Sequence, residues 1–406
     1  MQGERPQWNR RAVIGGLAGS FSLSLLGRAG AAPSGQPVRI GGTLALTGPL
    51  AQTALIHKIA AEIFIEQANK KDGLLGRPIE WVLYDDQSKP EVTRSLYEKL
   101  ITVDKVDLLM GPYATSGILA SVGVAQRYNK LLLQSSMGMP HLVTYDMAFP
   151  ATPFGPDPSK TFPNKVFDLL AASKTPPKSV AIVTSKFPSA QFMSTGARQV
   201  AEGRGLKVAL YLEYEFGTRD FGAIAARVKD ANADFLWVGA LGLDANQMIE
   251  AMKKLDYLPP RHFYLYPANA PLAALPDAKH ALSFGGVEDH PPFTSNPELV
   301  QFAALYQERA TKAGLPYTRI DGQGLGMYSC WQILAAAVNA TKSLDDKVLA
   351  QWLKANKVDT LNGLVRFNEK YNHGDDLTKV RQLIDGKWVI VWPAEFAPPD
   401  VKAALP

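Results

Sequence analysis

The stretch VDLLMGPYATSGILASVGVA, residues 106–125, holds two mainly apolar runs, 106–109 and 118–125, on either side of MGPYATSG. The first run has the length of a buried strand and the second is helical in pattern. Between them stand Gly111, Pro112, Tyr113 and the small hydroxyl residues Thr115 and Ser116, with no charge. Strand, turn and helix make one unit of a parallel sheet. Hydroxyls in such a turn admit two roles: they cap the helix, or they hold a small ligand together with main-chain amides.

Outward from this unit the same alternation recurs. Residues 38–46 read as a strand, and Leu55, Ile59 and Ile63 beside Ile56, Ala60, Phe64 and Ala68 mark a long amphipathic helix that stops near Gly73. A strand at 79–84, a helix at 91–103, the strand at 106–109, a helix at 116–128 and a strand at 131–134 follow. A Pro- and Gly-rich stretch, 152–158, then opens a second series. Its helices are expected at 162–172, 190–203, 221–231 and 244–255, and its strands at 179–184, 208–214, 234–238 and 262–265. The pattern predicts an α/β protein of two doubly wound parallel-sheet lobes. Asn296 and Pro297 form an N-cap and first helical position before a helix at 299–313, with further helices at 321–340 and 345–355. Strand-like segments at 364–367, 381–385 and 388–392 are too few for a third α/β unit, so they are expected to return to the earlier lobes. Several crossings of that kind make a hinge.

A chain of 406 residues, 46% hydrophobic and 20% charged, suits two ordinary folded cores. The first thirty-odd residues differ: Arg5, Arg10 and Arg11 precede an uncharged stretch, 12–27, and then small residues including Ala29-Gly30-Ala31. That is the pattern of an export signal, expected over residues 1–32 and cleaved near Ala31 or Ala32. Asn9-Arg10-Arg11-Ala12-Val13-Ile14 resembles a twin-arginine signal, with Asn9 in place of the usual Ser or Thr and Gly15 in place of the later Lys; the ordinary secretory route is the alternative. Without residues 1–32 the formal charge falls from +5 to +2, which gives no support to a nucleic-acid-binding surface. Cys330, the only cysteine, sits at helical spacing with Ile333, Leu334 and Ala337 and reads as a buried small hydrophobe.

The chemistry of an enzyme is missing. His57, His141, His262, His280, His290 and His373 show no metal-ligand spacing, and neither a phosphate-binding loop nor a nucleophile elbow occurs. Gly322, Gly324 and Gly326 form a GxGxG string, but inside a helical pattern rather than between strand and helix. Asp85 and Asp86 are adjacent on a strand and so face opposite ways, which suits turn capping better than paired acid-base work. No catalytic residue, metal or cofactor is expected.

Several motifs together resemble the substrate-binding proteins of ABC importers, of the branched-chain amino acid (leucine/isoleucine/valine-binding) type. They are IGGTLALTGPLA from Ile40, LLGRPIEWVLYDDQSKPEVT from Leu74, GPYATSG from Gly111, FGTRDFGAIAARVKDANADFLWVGA from Phe216 and NGLVRFNEKYNHGD from Asn362. The resemblance implies a type I periplasmic binding fold, with crossings near Thr152, Val287 and Leu364. One lobe would hold residues 33–152 with 288–363, and the other 153–287 with 364–398. It also implies a periplasmic, monomeric protein that closes on a small solute and hands it to membrane permease subunits. A ligand-sensing subunit that signals to a membrane partner is the alternative function on the same fold.

By the same resemblance the ligand lies at the carboxyl ends of the strands, held by Tyr113, Thr115 and Ser116 and by Ser135, Ser136, Met137 and Gly138 of QSSMGMP. Gln52 and Thr53, in a loop at 52–55, approach the same cleft, and Phe187 and Leu241 face it from the second lobe. Amino-acid binders of this type carry an acidic residue after the strand that corresponds to 262–265. Here YPANAPL offers Asn269 and no carboxylate. A buried ammonium needs a paired anion, so the expected ligand is an organic or aromatic acid, or an amide, rather than a standard amino acid.

Overall fold

The computed structural model describes residues 32–241, 243–265, 270–367 and 371–405. The export signal expected over residues 1–32 lies outside them but for Ala32.

The first βα series is β1 (Val38–Leu44), α1 (Ala51–Asn69), β2 (Ile79–Asp85), α2 (Pro90–Thr102), β3 (Leu108–Met110), α3 (Thr115–Arg127), β4 (Leu132–Ser136) and β5 (Ala148–Thr152). Its five strands form one parallel sheet in the order β2-β1-β3-β4-β5. The sheet core is Val38, Ile40, Leu108, Leu109, Leu132 and Leu133, all fully buried, as a parallel sheet covered on both faces requires. β5 has no counterpart in the sequence reading, because Pro150 argues against a strand. The sheet accommodates Pro150 at its edge, opposite Gln134, where a missing N–H breaks no ladder.

The second series is α4 (Pro158–Ala171), β6 (Ser179–Ser185), α5 (Pro188–Gly203), β7 (Lys207–Tyr214), α6 (Gly222–Ala231), β8 (Phe235–Gly239), α7 (Asp244–Lys253), β9 (His262–Tyr264) and β10 (Leu282–Gly285). The chain then forms α8 (Pro297–Lys312), α9 (Gly322–Thr341), α10 (Asp346–Ala355), a small hairpin β11 (Val358–Thr360) with β12 (Gly363–Val365), and finally β13 (Lys379–Ile384) and β14 (Lys387–Trp392). The second sheet runs β14-β13-β10-β9-β8-β6-β7. Its strands β6 to β10 are parallel, while β13 and β14 add an antiparallel edge. So the lobe's sheet is parallel through its βα series, β13 reverses the direction, and β14 at the edge turns it back again.

The helices between β10 and β11 go back to the first sheet: α9 packs on α1, β4 and β5, and α8 on α1. The chain therefore passes between the two sheets three times, after β5, after β10 and after β12. Asn296 caps α8 as its position suggested, accepting from Glu298 N at 2.9 Å. The Gly322, Gly324 and Gly326 string lies inside α9, and its purpose is close packing: a Cβ on Gly326 would stand 2.9 Å from Thr152 Oγ1, and one on Gly324 3.4 Å from Ile56 Cγ2. Cys330 is buried on the same helix, and burial pushes its thiol pKa up.

Asp85 and Asp86 organise turns. Asp85 accepts from Thr47 Oγ1 at 2.7 Å and Gln87 N at 2.8 Å, and Asp86 from Thr43 Oγ1 at 2.7 Å and Ser88 N at 3.1 Å. Burial raises Asp86 to about 6. No helix among the described residues is long and apolar enough to cross a membrane.

Candidate ligand-binding site

The strand ends position the site. β3 stops at Met110, whose carbonyl accepts from the buried Tyr97 hydroxyl at 2.5 Å, and Gly111 then passes so close to β4 that a Cβ would stand 2.7 Å from Gln134 Cβ. That tight passage delivers Tyr113, Ala114 and Thr115 to the end of the sheet. Thr115 is the first residue of α3; the N-cap is Ala114, which makes no side-chain cap bond. The capping role open to Thr115 and Ser116 is thus not taken, and among the described residues the first amides of the helix have no side-chain acceptor.

The second lobe presents a matching terminus. Ser185 Oγ accepts from Phe187 N at 3.2 Å and turns the chain from β6 into α5, whose N-cap is Phe187, again without a side-chain bond. Pro188 opens the helix, Ser189 follows it, and Trp237 Nε1 donates to Ser194 Oγ at 3.1 Å to hold α5 against β8. A third helix start, that of α9, brings Gln323, with Asp321 as N-cap accepting from Gln323 N at 2.8 Å.

These pieces line a cavity that opens to solvent. Tyr113, Ala114, Thr115 and Gly138 line it from the first lobe; Phe162, Ser189, Met193, Leu241 and Leu265 face them from the second. Phe154, in the first crossing, and Gln323 complete it. None of these residues is charged. The lobes touch here: a Cβ on Gly138 would stand 2.7 Å from Ser189 Cβ and 3.2 Å from Thr115 Oγ1. Phe154 and Phe162 meet edge to face at 5.1 Å and form an aromatic wall. Among the described residues the buried Tyr113 hydroxyl has no hydrogen-bond partner, although Thr53 lies alongside it, and burial raises its pKa, so it stays a neutral donor. Such a site offers hydroxyl and amide donors at two uncapped helix starts, one from each lobe, between apolar walls.

An outer chamber, open to solvent, shares Tyr113 and Ala114 with the cavity and is lined by Asp86, Lys89, Ser116, Lys186, Phe187 and Phe216 among others. Of the residues singled out in the sequence, Tyr113, Thr115, Gly138 and Leu241 therefore line the inner cavity, and Ser116 and Phe187 the outer chamber. The loop expected at 52–55 is the first turn of α1, so Gln52 and Thr53 are helical and line neither space. Ser135 is buried with its Oγ unpartnered, and Met137 packs in the core. Ser136 closes β4, its side chain outside the described part, and Asn269 lies outside the described residues. Sequence reasoning missed Ser189, Met193, Phe154, Phe162 and Gln323. Pro188 was the available signal for Ser189, since a proline at the first helical position moves the helix start to the cleft.

A sequence model described as periplasmic binding protein matches residues 37–387. The chain belongs to the periplasmic binding protein family. Its resemblance to leucine/isoleucine/valine-binding proteins holds over most of its length. A Pseudomonas aeruginosa protein named as binding leucine, isoleucine, valine, threonine and alanine is 22% identical over 355 residues, 86% of this chain and 90% of that one. The Leu/Ile/Val-binding protein of Escherichia coli is 22% identical over 87% of this chain and 92% of its own length. Among solved structures, an ABC transporter solute-binding protein of R. palustris in complex with benzoate superposes with a TM-score of 0.75 at 18% identity, over 87% of this chain and 95% of that one. A leucine-binding protein of Thermotoga maritima gives 0.74 at 19%, over 87% and 97%. These likenesses establish the type I periplasmic binding fold.

Proposed function

We propose that this protein is the extracytoplasmic solute-binding subunit of an ABC importer, and that it closes on a small organic or aromatic acid, or an amide, and delivers it to the membrane permease. The observation that carries the ligand class is the cavity lining. It holds donors (Tyr113, Thr115, Ser189, Gln323) and apolar walls, and among the described residues no carboxylate to pair with an α-ammonium. The unmatched ammonium of an amino acid would cost several kcal/mol. A carboxylate instead meets the positive ends of α3 and α5. Within this fold a protein from R. palustris holds benzoate and one from Streptococcus pneumoniae holds isoleucine, so the lining residues, not the architecture, must make the choice.

Both lobes contribute to the cavity, so a ligand bound there touches two surfaces only in the closed form and shifts the equilibrium by that difference. The test is thermal unfolding with benzoate, 4-hydroxybenzoate, benzamide and leucine, because a ligand that binds only the folded state raises the midpoint. The aromatic acids or the amide are expected to raise it and leucine to leave it unchanged. Stabilisation by leucine with no response to the others overturns the ligand class. Small-angle scattering that fails to show compaction with a stabilising ligand overturns the closure.

A further inference from the structure

His57 lies on α1, far in sequence from the cleft motifs, yet it is fully buried and its Nε2 is 2.8 Å from Gln323 Oε1. Its ring packs on that of Tyr113 with centroids 4.8 Å apart. The other ring nitrogen, Nδ1, is buried with no partner among the described residues. Gln323 is itself 3% exposed and lines the cavity, and among the described residues its amide nitrogen donates to no protein atom.

We propose that Gln323 determines ligand class by donating its side-chain N–H to an oxygen of the bound carboxylate, and that His57 is the positioning residue that fixes the orientation of that amide. This rests on the reading of the cavity as an acid-binding site and names the group that reads the acid. A neutral imidazole carries one N–H. If it sat on Nδ1, a buried donor would be left unmade, which native interiors avoid more strictly than a bare acceptor. The proton therefore resides on Nε2 and is donated to Gln323 Oε1. With its oxygen held, Gln323 has only donors left, and they face the cavity. Burial holds the imidazole pKa down near 4, so the ring stays neutral and its one N–H stays committed. A carboxylate, which accepts only, satisfies such a donor; an amide ligand does so with its carbonyl alone.

The inference is tested by four measurements on the full chain. Benzoate and benzamide are titrated into the wild-type protein, Gln323→Met, Gln323→Glu and His57→Phe. Loss of a hydrogen bond to a charged acceptor is expected to weaken benzoate about tenfold or more in Gln323→Met. Gln323→Glu keeps an acceptor for His57 but turns a carboxylate oxygen to the cavity, so benzoate binding is lost while benzamide, which has N–H groups to give, is retained. In His57→Phe the amide can turn over, and the ratio of benzoate to benzamide affinity drops toward one; a purely structural loss would weaken both ligands alike. The nitrogen-15 spectrum of the wild-type imidazole, assigned by its absence from His57→Phe, gives a readout that needs neither ligand nor a stable Gln323 variant, and should show the Nε2–H tautomer. Benzoate binding within twofold of wild type in Gln323→Met, or an Nδ1–H tautomer, overturns the inference and leaves the acid-binding reading standing. Failure of both probes to bind the wild-type protein overturns that reading, and the inference with it.

Discussion

A methyl group on Gly138 would stand 2.7 Å from Ser189 Cβ, a distance real side chains do not sustain, and both atoms sit close to the main chain with no torsion to move them apart. Gly138→Ala should therefore hold the lobes open at the point where they meet. Affinity for the stabilising ligand is expected to fall about tenfold or more, because the binding-competent closed form becomes a minor state. The unfolding midpoint of the free protein should stay where it is, since neither lobe's core is touched. Calorimetric titration beside a thermal scan checks both, and unchanged affinity would show that closure does not bring these two residues together. At this scale the sequence was informative where chemistry and position coincide: Tyr113 and Thr115 are polar residues at a strand end, and both line the cavity. It was silent where the partner is distant. His57 and Gln323 are 266 positions apart, and their contact exists only because α9 returns to pack on α1.

Helices α3 and α5 enter the cleft with Ala114 and Phe187 as N-caps and no side-chain cap bond, a state they share with α1, α2, α4, α6 and α7, while α8, α9 and α10 are capped by Asn296, Asp321 and Asp345. Leaving a helix start uncapped forgoes about 1 kcal/mol, and the start of α3 lies at the cavity. Ala114→Asn should show the exchange directly. The new side chain accepts from the first-turn amides, so the free protein becomes more stable by roughly 1 kcal/mol, while the ligand finds those amides taken and binds more weakly. Opposite signs in a denaturant titration and a ligand titration bear this out; a gain or a loss in both would place the ligand away from α3. Element patterning also explains what could be read in advance. The alternation of 2-residue and 3.6-residue periods revealed the βα series of both lobes, because each strand and helix shows one face to a core. β5 escaped through Pro150, which only an edge position tolerates. β10 escaped as well: four residues ending in glycine carry too little pattern, and its place between β9 and β13 comes from long-range pairing.

The three passages between the sheets are tied to one another at the scale of the molecule. Asn362, after β11, donates to Thr152 Oγ1 at the end of β5 at 3.0 Å, which links the third passage to the first. Near the second passage, Arg381 on β13 is fully buried, 2.5 Å from Glu288 and 3.6 Å from Asp321 at the start of α9. One cation thus holds two carboxylates from segments that must move together if the lobes close. Burial raises Glu288 to about 7 against the pull of Arg381, and raises Asp321 as well. Replacing the cation, as in Arg381→Met, leaves two buried carboxylates unmatched, which should cost about 3 kcal/mol or more near neutral pH. The sign of the pH effect follows from proton binding. A carboxylate with a raised folded-state pKa holds its proton in the native form at a pH where the unfolded chain has released it, so stability rises as pH falls. The variant's deficit in unfolding midpoint should therefore shrink on going from about pH 8 to about pH 6.5; His57 and His262, both lowered by burial to about 4, charge in the unfolded chain within that window and work the other way, but they do so alike in variant and wild type and cancel in the deficit. Glu288→Gln removes the group that titrates near 7 and keeps Arg381 with Asp321, so its midpoint relative to wild type should decline over the same window. A deficit in Arg381→Met that is constant or grows toward pH 6.5 would mean that the carboxylates stay ionised without their cation, and that water rather than Arg381 solvates the passage between the lobes.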